Sequence, residues 1–242
     1  MADSSPRLSH GESSVSTVLE TSIRAIDIDD LPSSPPLIQI SSITTERIDT
    51  IEEATAEVFQ IPKVRPYQIE SMHHLAFSKT QTILHLIRHT ADGKSLVPML
   101  TGLLRGRVSL VVVPLIGLGS DQVSKATQEQ CGVYAYHADE HKGPAATLLR
   151  QRILSMGNVE MRNSTILVYI SPQSFIKKEW FQFFTTLSKQ HNISSLTVDE
   201  AHTVEQCGRS FRPEFYTAVH HIGRLLRESN IPILLLFMSA TF

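Results

Sequence analysis

The chain has 242 residues, 41% hydrophobic and 19% charged, with a formal net charge of −2. That supports one sizeable core plus an additional segment. No apolar run nears the roughly 20 residues of a membrane span, and the N-terminus lacks the basic-then-apolar pattern of a secretory signal. Two cysteines, Cys131 and Cys207, are too few and too far apart for a disulfide framework or a zinc site, and fit a reducing, intracellular compartment.

The charge is unevenly placed. Residues 1–55 carry ten acids and three bases, leaving 14 acids and 19 bases, a net of +5, in the remainder. A mildly basic body is compatible with phosphate contacts. Residues 1–44 are rich in Ser, Thr, Pro and Asp, include Ser33-Ser34-Pro35-Pro36, and contain no Phe, Tyr or Trp. Such a stretch buries too little apolar area to offset its ordering entropy, so a disordered leader is expected ahead of one domain over 45–242.

Within that domain, Ile48, Ile51, Val58 and Phe59 recur at helical spacing, predicting an amphipathic helix over 46–60. Pro66 is placed to begin a second helix running through Ser71 and Leu75. Residues 82–87 form an apolar, β-branched run that reads as a strand. Behind it stands Arg88-His89-Thr90-Ala91-Asp92-Gly93-Lys94-Ser95, the second half of a phosphate loop. Lys94 would reach the β- and γ-phosphates and the Ser95 hydroxyl would ligate Mg²⁺, while backbone amides hold phosphate oxygens. Arg88 replaces the usual first small residue, and Asp92 adds a negative charge beside the expected phosphates.

Further apolar runs predict strands over 109–114, 165–170, 195–198 and 233–237, with a helix opened by Asp121-Gln122-Val123 and another over 218–228. His137, Asp139, Glu140 and His141 have a spacing that could hold a metal, but with no further Cys or His in the segment they read as a surface loop over 135–143. The pairs His73-His74 and His220-His221 are likewise not read as metal ligands. Trp180, Phe181, Phe183 and Phe184 read as helical core rather than a stacking platform. Alternating strands and helices predict an α/β fold with a mostly parallel sheet covered on both faces. Ligands of such sheets bind at the strands' carboxyl ends. Lys94, Pro114, Ser171, Asp199 and Ser239 are all expected there.

The most informative stretch follows the run 195–198. Asp199 and Glu200 stand side by side at a strand's end, a pattern suited to magnesium-assisted hydrolysis. One carboxylate would hold the cation and the other would deprotonate an attacking water.

The whole stretch Asp199-Glu200-Ala201-His202, with Gln206, Gly208, Phe211, Arg212, Pro213 and Tyr216 behind it, resembles the DEAH motif and aromatic-rich loop of RecQ-type superfamily 2 DNA helicases. The resemblance covers about residues 58–242 and implies a RecA-like P-loop domain, the first lobe of an ATP-dependent 3′-to-5′ helicase with a nuclear location. It implies that Asp199 and Ser95 serve Mg²⁺, that Glu200 is the base, and that His202 links to the phosphates. Arg65 and Gln68 would read adenine, since an amide offers donor and acceptor together, and Thr90, Gly93 and Lys94 would cradle ATP. Pro114, Ser171, Gln206, Phe211 and Arg212 would meet single-stranded or partly duplex DNA, and Ser239 and Thr241 would couple the two sites. Departures are Ile61 for a stacking aromatic, Ala91 for a loop glycine and Cys207 for the loop's tryptophan. An aromatic stack with a base is worth roughly 1–3 kcal/mol.

The family also uses a second RecA-like lobe whose arginines complete the ATP site, an effect worth roughly 10³–10⁵ in rate. This lobe is not expected within the 242 residues, so a fragment with little turnover alone is one reading. A non-catalytic nucleic-acid- or protein-binding module, in which Arg88, Ala91 and Cys207 have accumulated, is the other. Removing residues 1–44 is expected to leave the thermal unfolding midpoint within a few degrees of the full chain's, and a larger fall would show that the leader packs on the domain.

Overall fold

The computed structural model describes residues 45–242 apart from 81, 90, 115, 129–131, 203–212, 230 and 241–242. The leader over 1–44 therefore lies outside the described residues.

Six strands make one sheet: β1 Ile83–Ile87, β2 Arg107–Val112, β3 Val133–His137, β4 Thr165–Ile170, β5 Ile193–Val198 and β6 Leu234–Ser239. Their spatial order is β1-β6-β5-β2-β4-β3, and every neighbouring pair is parallel. Strands β4, β5 and β6 are buried along their whole length, as inner strands of a sheet covered on both faces are.

Helices cover both faces. On one lie α1 Thr45–Phe59, α2 Pro66–Ala76, α3 Leu96–Arg105 and α4 Ile116–Ala126. Their Ile51, Met72, Leu75, Val97, Leu100 and Ala126 pack against β-residues such as Leu236, Met238, Val111 and Tyr169. On the other lie α5 Pro144–Ser155, α6 Asn158–Asn163, α7 Pro172–Phe175, α8 Lys178–Lys189 and α9 Pro213–Glu228. Here Trp180, Phe183 and Phe184 of α8 pack with Ile222 of α9 onto Val168, Leu196 and Phe237. The aromatic cluster is core, as its helical spacing indicates. Among the described residues no helix is long and apolar enough to cross a membrane.

Several expectations need correction. Residues 135–137 are not loop but the end of β3, and His137 is only 1% exposed. In that strand Val133, Ala135 and His137 are buried while Tyr134 and Tyr136 are partly exposed, the alternation of a short edge strand. Its histidine and tyrosines obscured the pattern. The helix after β2 begins at Ile116 rather than at Asp121, and β2 itself runs from Arg107 to Val112. The paired histidines sit on helices α2 and α9, where the sequence predicts helix; the His221 ring stacks on Phe181 at 3.9 Å. Among the described residues no group of three or more His, Cys, Asp or Glu is placed to hold a metal.

The ends of β3 and β4 are tied by Asp139. It accepts from the Ser171 N–H at 2.8 Å and the Ser171 hydroxyl at 2.6 Å, and His137 Nδ1 lies 3.7 Å away. Burial alone would raise the Asp139 carboxyl, but the Ser171 and Ser174 hydroxyls, the Ser171 N–H and His137 outweigh it and hold it below the usual range. The folded-state value is thus depressed, so its stabilisation is complete above the ordinary aspartate range and disappears as pH falls through the folded value. Asp139→Asn is expected to lower stability by about 1–3 kcal/mol at pH 7, and the gap from wild type should close below about pH 4. Urea unfolding of both proteins across pH 3–8 measures this; a gap independent of pH would remove the charge from the account.

Candidate nucleotide and strand site

The strand order divides the carboxyl edge into two halves. On neighbouring strands β1, β6 and β5 the chain leaves into the loop before Lys94, into Ser239 and into Asp199. On β2, β4 and β3 it leaves into Pro114, Ser171 and Asp139.

In the first half, the loop between β1 and α3 is folded tightly on itself. Lys94 is 8% exposed, and its ammonium donates to the carbonyls of Arg88 (2.7 Å) and His89 (3.1 Å). Gly93 sits at φ +82°, and a Cβ there would come within 3.1 Å of Gln68 Nε2. Ala91, where the family has glycine, adopts φ +68°, left-handed backbone that disfavours an L side chain by roughly 1–2 kcal/mol. Ser95 stands at the N-cap of α3 in helical geometry, and its hydroxyl makes no capping bond.

The start of α2 grips this loop from outside. Gln68 Nε2 donates to Gly93 O at 2.8 Å, while its Oε1 accepts from the Arg65 N–H at 2.9 Å. Both ends of the amide expected to read adenine are therefore engaged inside the protein. The Tyr67 hydroxyl donates to Asp92 O at 2.6 Å, and the Arg88 guanidinium lies 4.7 Å above the Tyr67 ring. The Asp92 charge beside the expected phosphates is met by Arg65 at 3.0 Å. Both partners are substantially exposed, so this pair contributes little to stability.

The acidic pair follows β5. Asp199 is 5% exposed, and its N–H extends the ladder by donating to Val112 O at 2.9 Å. Its carboxylate accepts the Glu200 N–H at 2.9 Å and the Gln122 side-chain amide at 3.3 Å. Burial, and then the charge of Glu200, pushes the Asp199 carboxyl up, while Gln122, the Glu200 N–H and Lys94 pull it down. Glu200 itself adopts φ +48°, an unfavourable backbone for glutamate. His202 Nδ1 lies 3.0 Å from Ser239 Oγ and 3.3 Å from Glu200 Oε2, so a single imidazole joins the acidic turn to the end of β6. The Ser239 carbonyl in turn accepts from the Arg88 N–H at 3.1 Å.

In the second half, Pro114, Asp139, Lys142, Arg150, Ser171 and Lys177 are among the residues lining an open groove of about 1300 Å³. Ser171, expected to meet a phosphate, has both its N–H and its hydroxyl on Asp139. Thr90, Gln206, Phe211, Arg212 and Thr241 lie outside the described residues.

The donor set at β1, β6 and β5 is a hydroxyl and two carboxylates with one ammonium beside them. These are hard oxygen ligands, suited to a magnesium ion that keeps several waters rather than to a soft or fully caged metal. Four contacts were not assigned from the sequence: Tyr67 on Asp92, the Arg65–Asp92 pair, Asp139 on Ser171 and Gln122 on Asp199. Moving the start of α4 back to Ile116 would have placed Gly119, Gln122 and Ala126 along one face, the pattern from which Gln122 becomes visible.

A model of the DEAD/DEAH box helicase family matches residues 65–242. "ATP-dependent DNA helicase Q-like 2" of Arabidopsis thaliana is 29% identical over 177 residues, covering 72% of this chain and 24% of that protein. "ATP-dependent DNA helicase Q1" of Rattus norvegicus is 28% identical over 198 residues, covering 79% of this chain and 29% of that protein. The chain thus spans about a quarter of the length of these curated relatives. The crystal structure of the helicase MrfA has the same fold, with a TM-score of 0.50 at 17% identity over 86% of this chain and 30% of that one. Lys94, the Asp199–Glu200 pair and Ser239, brought together on three neighbouring strand ends, all fall within the matched residues, and the chain belongs to the DEAD/DEAH box helicase family.

Proposed function

We propose that this chain is the ATP-binding lobe of a RecQ-type 3′-to-5′ DNA helicase, working in the nucleus on single-stranded or partly duplex DNA together with a second RecA-like lobe. The observation that carries the reading is the convergence of Lys94, Asp199, Glu200 and Ser239 at the adjacent ends of β1, β5 and β6.

In this reading Ser95 and Asp199 would hold the magnesium of Mg-ATP, which would supply positive charge to offset that of the phosphates. Lys94 leaves the carbonyls of Arg88 and His89 and turns its ammonium to the phosphates, which offer a charged acceptor in place of two neutral ones. Glu200 takes the proton of the attacking water. His202, between Glu200 and Ser239, carries the state of that turn to the end of β6. The groove beside Pro114, with Lys142, Arg150 and Lys177 on its walls, offers a track for phosphates of a DNA strand.

A second reading, a nucleic-acid- or protein-binding module without turnover, draws on the engagement of Gln68 by Gly93 and Arg65 and of Ser171 by Asp139. Binding and turnover assays separate the two. Lys94→Ala is expected to weaken Mg-ATP binding by calorimetry about ten- to a hundredfold, the range of a charge-assisted hydrogen bond. Equal affinity in both proteins would sink the phosphate-loop assignment. Glu200→Gln should leave Mg-ATP affinity within about threefold while reducing DNA-stimulated phosphate release by roughly 10²–10⁴. Unchanged release would dismiss Glu200 as the base. A lobe without the second lobe's arginines is expected to turn over little. Where neither protein releases phosphate the Mg-ATP affinities therefore decide, and wild type that binds no Mg-ATP would favour the module without turnover.

A further inference from the structure

Helix α4 makes one contact for which nucleotide binding by the P-loop has no direct use. Gln122 is 4% exposed on the side of α4 that meets the sheet, and its Nε2 donates to Asp199 Oδ2 at 3.3 Å. The other carboxylate oxygen, Oδ1, accepts the Glu200 N–H at 2.9 Å. Donors on both oxygens fix the torsion of the carboxylate as well as its direction.

The amide is only half satisfied. Gln122 Oε1 is buried with no hydrogen-bond partner among the described residues. An unpaired buried acceptor costs free energy, and a methionine or leucine of similar volume would fill the same space without that cost. The fold alone is therefore poorly served by glutamine here, and the end that is used is the donor, aimed at Asp199. The helix that presents it is seated without slack. A Cβ on Gly119, one turn before Gln122, would come within 2.1 Å of His137 Nε2 and 3.2 Å of Val113 Cγ2. Val123 and Ala126 of the same helix pack with Val111 and Tyr169.

We propose that Gln122 is a positioning residue for the metal end of the site, its side-chain amide holding the Asp199 carboxylate in the orientation that receives the magnesium of Mg-ATP. The inference rests on the reading of Asp199 as the cation's holder. Donors that orient metal-ligating carboxylates commonly change metal affinity by roughly 10–100-fold when removed.

The test is calorimetric titration of the 242-residue chain with ATP, in excess Mg²⁺ and in EDTA, with thermal unfolding alongside. The quantity read is the ratio of the two affinities. Gln122→Met, equal in bulk and unable to donate, is expected to lower the ratio by about tenfold while the metal-free affinity stays within about twofold. A residue important only for packing would shift the unfolding midpoint and both affinities together, leaving the ratio intact, and that result overturns the inference. Should Gln122→Met fail to fold, Gln122→Ala also cannot donate, adds no charge beside Asp199, and is read by the same ratio. Wild type that binds no ATP in either buffer would overturn the nucleotide reading and this inference with it. An unchanged ratio in the variant overturns the inference alone.

Discussion

A carboxylate at the end of a strand buried on both faces has lost most of its water, and it stays charged only if donors are brought to it. Asp199 is in that position, and much of the molecule is arranged around it. Its strand lies between β6 and β2, so support arrives from both directions: the charge of Lys94 acts from the β1 side, and Gln122 donates from the helix that follows β2. Glu200 N–H closes the turn. Without the parallel sheet these groups, drawn from three separate parts of the chain, would not meet.

That dependence accounts for how the rest is built. The loop before Lys94 is shaped by α2, whose Tyr67 and Gln68 seize the carbonyls of Asp92 and Gly93 from outside. Those two carbonyls are thereby satisfied before any phosphate arrives. On the far side of the sheet, α8 and α9 contribute aromatic and aliphatic bulk that keeps β4, β5 and β6 dry. The site and the core are in this sense one structure, since the same burial that packs Val198 also removes water from Asp199.

Much of this was legible in the residues. Apolar runs located five of the six strands; four of these, β2, β4, β5 and β6, are inner strands covered on both faces, where burial leaves no polar-out alternation to confuse the reading. Strand β3 escaped for the opposite reason: at the sheet's edge it alternates, and two of its five residues are tyrosines and one a histidine. Lys94, Asp199 and Glu200 were visible because their chemistry demands particular residue types at particular spacings. Asp139 and Gln122 were not, since a buried amide or carboxylate is defined by its partner, and the partners lie 32 and 77 positions away in the chain. Asp92 reads as an electrostatic liability in isolation and as half of an ion pair once Arg65 is seen beside it.

Glu200 illustrates what a fold tolerates. Its φ of +48° is a conformation that glycine enters freely and asparagine readily, and that glutamate enters at a cost. A sequence selected for foldability alone would drift to one of those residues, and each such step would make the turn more comfortable. The long carboxylate side chain held against that drift, within 3.3 Å of an imidazole, marks the turn as a place where thermodynamic ease and chemical usefulness pull in opposite directions. Variants that gain heat resistance through this turn would be the ones that have surrendered its chemistry.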